Sequence, residues 1–241
     1  MKTKKLLLLP ALALFGLVQL SGQTADDIVN NYVNALGGKA LLASIKSASY
    51  ESITEVMGNE SPTTTIILNG KGYKNVSDMN GQKMIQCYTD KGGWTINPMN
   101  GGSVETMPEE QYNAGKGQID IGGPLLDYAA KGGKVELVGR EMVDSVNTFK
   151  IKLTGANSLE INYYFDPASW HILQTLQTMK MMDQSMEMKV KYSDYRKTKV
   201  GYTMPFTIDM NFGDQFSLRV IVKKAEFNKD IDPTIFEQGK E

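Results

Sequence analysis

Residues 204–227, MPFTIDMNFGDQFSLRVIVKKAEF, alternate apolar and polar side chains on both sides of a tight turn at Gly213-Asp214. An alternation of period two is typical of a β-strand that buries one face. The apolar positions are Phe206, Ile208, Met210, Phe212, Phe216, Leu218, Val220 and Val222. The stretch therefore predicts an antiparallel hairpin with one apolar face.

The same alternation fills most of the chain from Ser47 onward, in short segments separated by turn residues. Asn80-Gly81 is the dipeptide of a type I′ hairpin turn. The segments follow one another as about eleven strands in simple meander order, without the long helical crossovers of a βαβ fold. They predict a mainly β protein built on one strongly curved antiparallel sheet.

Helices are expected at the start of this region and near its middle. In residues 24–47, TADDIVNNYVNALGGKALLASIKS, Thr24 can cap an amphipathic helix that ends at Gly37-Gly38, and a second short helix follows. Pro124 is expected to begin a short central helix that carries Leu125 and Leu126. These helices are too small to cover the whole apolar face of such a sheet. An incomplete, strongly curved antiparallel β-barrel, covered by the helix pair and the short central helix, accounts for the pattern.

The first residues have the pattern of a secretory signal peptide. MKTKK carries three lysines, an apolar run of about fifteen residues follows, and small residues lie near its end. We therefore expect residues 1–23 to be removed and residues 24–241 to form a single domain, exported as a soluble protein to the periplasm. No cysteine follows the apolar run, so we expect no lipid anchor.

Composition narrows the possible partners. Without residues 1–23 the chain has 23 basic and 27 acidic side chains, and it lacks the basic stripe that a phosphate backbone requires. Nucleic acid is not expected as a partner, and the protein is expected to be a monomer. Cys87 is the only cysteine, so no disulfide can form within the chain.

Residues 178–190, TMKMMDQSMEMKV, contain five of the fourteen methionines. A hairpin that turns at Met182-Asp183-Gln184 places most of them on one face. These side chains either form ordinary core or line a cavity for an apolar guest of variable shape, a role that suits methionine because its chain repacks easily. On the second interpretation, the candidate ligand-binding residues are Leu125, Leu126, Met179, Met181, Met186, Met188, Val190, Phe206, Ile208 and Met210.

Residues for known catalytic chemistry are scarce. His171 is the only histidine, and the motifs HExxH, CxxC and GxSxG do not occur. Cys87 is expected to be a buried, inert thiol. We therefore expect a non-enzymatic protein without a metal or cofactor.

Several stretches, in this order along the chain, resemble the outer-membrane lipoprotein-sorting proteins, the LolA/LolB-like periplasmic lipoprotein carriers. They are DKGGWTINPMNGGSVETMP (90–108), VELVGREMVDSVNTFKIKLT (135–154), INYYFDPASWHILQ (161–174), YSDYRKTKVGYTMPFTIDM (192–210) and AEFNKDIDPTIFE (225–237). The resemblance implies a half-barrel of about eleven strands with helical lids and a hydrophobic cavity for acyl chains. Leu125 and Leu126 resemble the lid segment.

One difference from these carriers lies at residues 69–78, NGKGYKNVSD. The carriers have a basic strand there with an arginine that latches the lid, whereas this stretch carries lysines.

Three functions remain to be compared. The first is an exported carrier that binds the acyl chain of a lipoprotein, a phospholipid or a fatty acid. The second is an envelope adaptor that uses the same concave face for a protein partner. The third is a hydrolase, for which the sequence offers no catalytic group.

Overall fold

The structure is a computed structural model that describes residues 22–156, 158–181, 184–213 and 215–240, with the backbone alone for residues 179–181 and 184. The predicted signal peptide, as far as residue 21, lies outside these ranges. So do Met182 and Asp183 of one predicted turn and Asp214 of another.

One antiparallel sheet of thirteen strands dominates the described residues. The strands are β1 (Ser47–Val56), β2 (Asn59–Leu68), β3 (Gly72–Met79), β4 (Gln82–Thr89), β5 (Gly93–Ile96), β6 (Val104–Thr106), β7 (Lys134–Val143), β8 (Val146–Thr154), β9 (Glu160–Phe165), β10 (Ile172–Met181), β11 (Gln184–Lys197), β12 (Thr203–Phe212) and β13 (Phe216–Phe227). The helices are α1 (Ala25–Ala35), α2 (Lys39–Ser44) and α3 (Glu109–Gly115).

The sheet consists of two meanders joined at one pair of strands. Its order is β6-β5-β4-β3-β2-β1-β13-β12-β11-β10-β9-β8-β7, so β1 pairs with β13 and the outer strands β6 and β7 do not pair with each other. The sheet is curved and unclosed. The predicted fold class is confirmed, and the described residues contain thirteen strands where the sequence predicts about eleven.

The N-terminal helix pair forms as the sequence predicts. Thr24 and Asp27 make a reciprocal capping box at the start of α1, which satisfies backbone groups that the helix leaves open. Gly37 and Gly38 end the helix with φ angles of 121° and 90°, which are unfavourable for residues that carry a Cβ.

The central helix is present, but the prediction that it begins at Pro124 was wrong. Residues 121–132 form successive turns, and the helix lies earlier, at α3. Asp127 has φ 53°, a left-handed conformation that interrupts an α-helix. Glu109 and Glu110 occupy the first turn of α3, where negative charge is favourable.

The predicted type I′ turn at Asn80-Gly81 is confirmed. Both residues have positive φ, 58° and 84°, and the flanking residues Met79 and Gln82 pair directly. Met57-Gly58 closes the β1–β2 hairpin in the same way, with φ angles of 50° and 80°.

The larger hydrophobic cluster lies between the helices and one face of the sheet, which we call the helix-facing face. Ile28 from α1, Leu42 from α2 and Leu125 from the loop between α3 and β7 are at most 2% exposed. They pack with sheet residues such as Ile151 and Phe165. The helices therefore fill the part of the concave face that they cover.

A smaller cluster lies on the opposite face of β2–β5, beneath the C-terminal segment 228–240. Ile85, Cys87, Trp94 and Ile96 pack there around Phe236. The Trp94 indole N–H donates a hydrogen bond of 2.9 Å to the carbonyl oxygen of Phe236. This end of the sheet is therefore covered on the side away from the helices.

Lys74 also belongs to this covered side. It is 4% exposed and donates to the carbonyl oxygens of Ile235, at 3.1 Å, and Lys240, at 2.5 Å. Lys74 thus holds the C-terminal segment against β3. Among the described residues, no helix is long and apolar enough to cross a membrane.

Candidate functional site

Two rows of directly paired residues cross the helix-facing face. The first row runs from β7 to β1 through Leu137, Ile151, Tyr163, Thr175, Val190, Met210, Leu218 and Val56. The second runs from β7 to β13 through Val135, Leu153, Ile161, Gln177, Met188, Phe212 and Phe216. Residues paired directly across antiparallel strands point to the same face, so each row is one continuous strip.

Both rows are most deeply buried at β8 and are half-buried at β12 and β13. Ile151 and Leu153 are at most 3% exposed and belong to the cluster beneath the helices. At the other ends, Met210, Leu218 and Phe212 are half-buried and, within the described residues, lie outside that cluster. The helices cover the β7–β9 end of the rows and leave the β11–β13 end open.

This open area is the candidate site, and we call it the apolar patch. It consists of Met186, Met188, Ile208, Met210, Phe212, Phe216, Leu218 and Val220, all half-buried. The Phe212 and Phe216 rings stack at its outer end with their centroids 4.5 Å apart. Met57, 76% exposed, lies in the adjacent β1–β2 turn.

Four of the ten predicted ligand-binding residues lie in the apolar patch, namely Met186, Met188, Ile208 and Met210. Val190 lies in the same row as Met210 but is only 5% exposed. Phe206 is half-buried and packs against the main cluster.

The predicted lid residues lie apart from the apolar patch. Leu125 is 2% exposed within the main cluster, and Leu126 packs against that cluster. Met179 pairs with Met186 through the backbone, and the side chains of Met179 and Met181 lie outside the described part of the structure.

The ligand-binding residues predicted from the sequence do not include four members of the apolar patch, Phe212, Phe216, Leu218 and Val220. Their signal was present in the alternation that placed them on one apolar face. What the alternation could not show is that none of the described helices lies over this particular stretch of the face.

Tyrosines surround the covered part of the concave face. Tyr32, Tyr192, Tyr195 and Tyr202 all pack against the main cluster. Burial raises the pKa of Tyr32 well above its usual value, and the neighbouring tyrosines add to the shift. These hydroxyls therefore stay protonated at neutral pH and bring no negative charge to the face.

His171 lies beside this cluster rather than in a catalytic arrangement. Its ring stacks on Tyr195 with a centroid distance of 4.0 Å. Burial lowers the pKa of His171, and the nearby carboxylate of Asp166 only partly offsets this effect.

Cys87 lies on the opposite face, under the C-terminal segment. Burial raises the pKa of its thiol to about 12, against the opposing effects of Lys74 and Trp94. A thiol with this pKa is a poor nucleophile at neutral pH. No group of three His, Cys, Asp or Glu side chains suited to a metal ion occurs in the described ranges.

Two open grooves lie on the surface. One, of about 740 Å³, is lined by Met57, Met210 and Leu218 together with charged residues that include Lys191, Asp209 and Arg219. The other, of about 710 Å³, runs beside the C-terminal segment at Trp94 and Phe236.

Comparison with known proteins identifies the architecture. No protein-family model matches the sequence, and no curated protein matches it. Among solved structures, a LolA superfamily protein from Nitrosomonas europaea aligns over 89% of this chain and 98% of its own, with a TM-score of 0.59 and 11% identity. The chain has a LolA-like fold.

Two further structures agree with this assignment. An outer membrane lipoprotein-sorting protein domain from Vibrio parahaemolyticus has a TM-score of 0.60 at 11% identity, covering 88% of this chain and 95% of that one. A DUF1329 family protein from Desulfovibrio piger has a TM-score of 0.61 at 11% identity, covering 88% and 97%.

At this level of identity the comparisons establish the LolA-like fold alone. The resemblance read from the sequence motifs is thus matched by the three-dimensional architecture. Within it, the apolar patch belongs to the concave side of the LolA-like sheet, beyond the edge of the helix pair.

Proposed function

We propose that the protein is an exported, non-enzymatic periplasmic carrier that binds acyl chains of lipoproteins or other lipids on the apolar patch. The observation that carries the proposal is the apolar patch itself, a group of eight apolar side chains on β11–β13 that none of the described helices covers. The solved LolA-like structures, one of them from a lipoprotein-sorting protein, agree with this use of the fold.

The patch has the chemistry of a hydrocarbon-binding surface. Each of its eight side chains is apolar, and its half-buried state leaves area that a guest would remove from water. Burial of a methylene group contributes about 0.8 kcal/mol, so a sixteen-carbon chain offers on the order of 12 kcal/mol before the cost of ordering both partners is subtracted.

The side chains also suit guests of different shape. Met186, Met188 and Met210 are unbranched and polarisable, and they change rotamer at little cost. Phe212 and Phe216 provide a flat end to the patch, where a chain could enter beside the exposed Met57. A carrier has to release its cargo, and a surface that is open at one end permits this.

The first experiment asks whether the protein holds lipid. The full chain, expressed with its own N-terminal segment in a Gram-negative host and purified from the periplasmic fraction, is denatured in organic solvent and examined by mass spectrometry. We expect fatty acids, phospholipids or lipidated peptides in the extract. A lipid-free extract, together with no binding of a fluorescent fatty acid, would exclude the carrier and favour the adaptor hypothesis.

The second experiment locates the site. Leu218→Glu places a carboxylate on the patch and should weaken binding of the fluorescent fatty acid at least tenfold, because an apolar guest would bury that charge without a partner. The matched control is Ser217→Glu, at the adjacent exposed position on the opposite face, and it should change binding less than twofold. Equal effects of the two substitutions would refute the placement.

A further inference from the structure

On the helix-facing face, the side chains change from apolar to polar where the two meanders meet, between β13 and β1. On β13, Val220 and Leu218 belong to the apolar patch, whereas β1 presents Thr54 directly opposite Val220 and Ser52 directly opposite Val222. Beyond this boundary, most of the residues of β1–β3 that face the same way have hydroxyl or amide side chains.

We call this second area the hydroxyl patch, and it consists of Thr54, Ser61, Thr63, Thr65, Asn75 and Ser77. Direct pairing fixes their common face: Thr54 lies opposite Ser61, Thr63 opposite Ser77, and Thr65 opposite Asn75. The row from Ala48 through Ile67 to Tyr73 belongs to the cluster beneath the helices and thus identifies this face as the helix-facing one.

Five of the six side chains of the hydroxyl patch form a network of two hydrogen-bonded groups, one around Thr63 and one made by Thr65 and Asn75. The Thr63 hydroxyl is 2.9 Å from the Thr54 hydroxyl and 2.9 Å from that of Ser77. The Asn75 amide donates to the Thr65 hydroxyl at 2.8 Å. Such a network holds several donors and acceptors in fixed positions, each hydroxyl having one donor and two acceptor sites.

Charge separates the two faces of these strands. All of β1–β4 is described, and none of its alternating helix-facing positions, from Ala48 to Tyr88, carries a charged side chain. The opposite face of the same strands carries Glu51, Glu55, Glu60, Lys74, Asp78 and Lys83. In β1–β4 the charged side chains thus lie on the opposite face, and the helix-facing side is neutral.

We propose that the cargo is a lipid with an uncharged, hydroxyl-bearing polar group, such as a glycosylated or partly acylated glycerol. Its hydrocarbon lies on the apolar patch, and its polar group bonds to the hydroxyl patch across the β1–β13 boundary. This inference rests on the proposed function and specifies the class of lipid.

The physical reason for the selectivity is the lack of a cation on this face of β1–β4, all of which is described. A phosphate or carboxylate brought onto it would lose water without gaining a charged partner, which is costly. A sugar or glycerol hydroxyl loses less on desolvation and meets donors and acceptors that are already positioned.

The test is competition for a bound fluorescent fatty acid by three unlabelled ligands with the same acyl chain. They are monoglucosyl dipalmitoylglycerol, dipalmitoyl phosphatidylglycerol and palmitate. We expect the glucosyl lipid to compete at a concentration at least tenfold lower than either charged ligand. Equal competition by all three ligands would refute the proposed preference for an uncharged polar group and would leave the proposed carrier function intact. No binding of the probe or of any competitor would overturn both.

Variants then assign the preference to the hydroxyl patch. The double substitution Ser61→Ala and Thr65→Val should remove most of the tenfold preference and leave palmitate binding within twofold of wild type. The control is Thr64→Val, an exposed position on the opposite face of the same strand. An undiminished preference in the double variant, with its fold verified by circular dichroism, would refute the role of these hydroxyls.

Discussion

The contact between Gly72 and Phe236 can be tested by a double-mutant cycle, because the C-terminal segment depends on it. A Cβ added at Gly72 would lie 2.6 Å from Cγ of Phe236 and 2.7 Å from both Cδ atoms. Gly72→Ala must therefore displace the ring or shift β3. Overpacking of this kind costs about 1–3 kcal/mol.

Removal of the ring has its own cost. Phe236 is 5% exposed and packs on Cys87, Trp94 and Ile85. Replacement of such a phenylalanine by alanine lowers the free energy of unfolding by about 3–5 kcal/mol. In a protein of this size, that corresponds to a melting temperature lower by roughly 6–20 °C.

The double variant shows whether the effects of the two substitutions on stability are coupled. In the Phe236→Ala background the new Cβ at position 72 has room. Gly72→Ala should then stabilise the protein by about 0.4–1 kcal/mol, because alanine lowers the conformational entropy of the unfolded chain. The double variant should therefore be more stable than the sum of the single effects by about 1.5–4 kcal/mol.

The assay is urea unfolding followed by far-UV circular dichroism, with ΔG of unfolding taken for wild type, both single variants and the double variant. Gly117→Ala serves as a control for the general effect of the substitution, since a Cβ there meets nothing within 4 Å. Additive effects at Gly72 and Phe236 would refute the packing of the ring on β3.

Two further predictions concern titratable groups. Burial lowers the pKa of His171, so the unfolded chain takes up a proton before the folded one and the free energy of unfolding should fall as pH drops below about 6.5. Urea unfolding at pH 7.5 and 5.0 should show a larger fall in the free energy of unfolding for wild type than for His171→Phe. An identical pH dependence in the two proteins would contradict the prediction. The Cys87 thiol, with its pKa raised to about 12, should not react with a thiol reagent in the folded protein at pH 8 but should react once per chain in guanidinium. Rapid reaction of the folded protein would mean that the C-terminal segment does not cover this thiol.

The helix pair and the C-terminal segment cover opposite faces of the sheet. The helix pair fills the concave side at one end and leaves the apolar patch open at the other. The C-terminal segment covers the opposite side of β2–β5, where Lys74 and Trp94 bond to its carbonyl oxygens. With their apolar side chains directed to that segment, these strands can present hydroxyl groups on the concave side.

Local sequence determined much of this architecture. Period-two alternation located the strands, Asn80-Gly81 fixed a hairpin turn, and the Thr24 capping box and Gly37-Gly38 bounded the first helix. These features depend on neighbouring residues, whose backbone preferences and hydrogen bonds operate over a few positions. The central helix was misplaced because a proline followed by leucines is also compatible with the turns that Asp127 enforces.

Only the tertiary structure decided which faces are covered and by what. Alternation assigns residues to two faces but does not say which face meets a helix, and in β2–β5 the more apolar face meets the C-terminal segment instead. The pairing of β1 with β13 joins strands more than 150 residues apart and brings Thr54 beside Val220. That contact arises from the packing of the whole sheet, so the boundary between the hydroxyl patch and the apolar patch could not be derived from any single stretch of the chain.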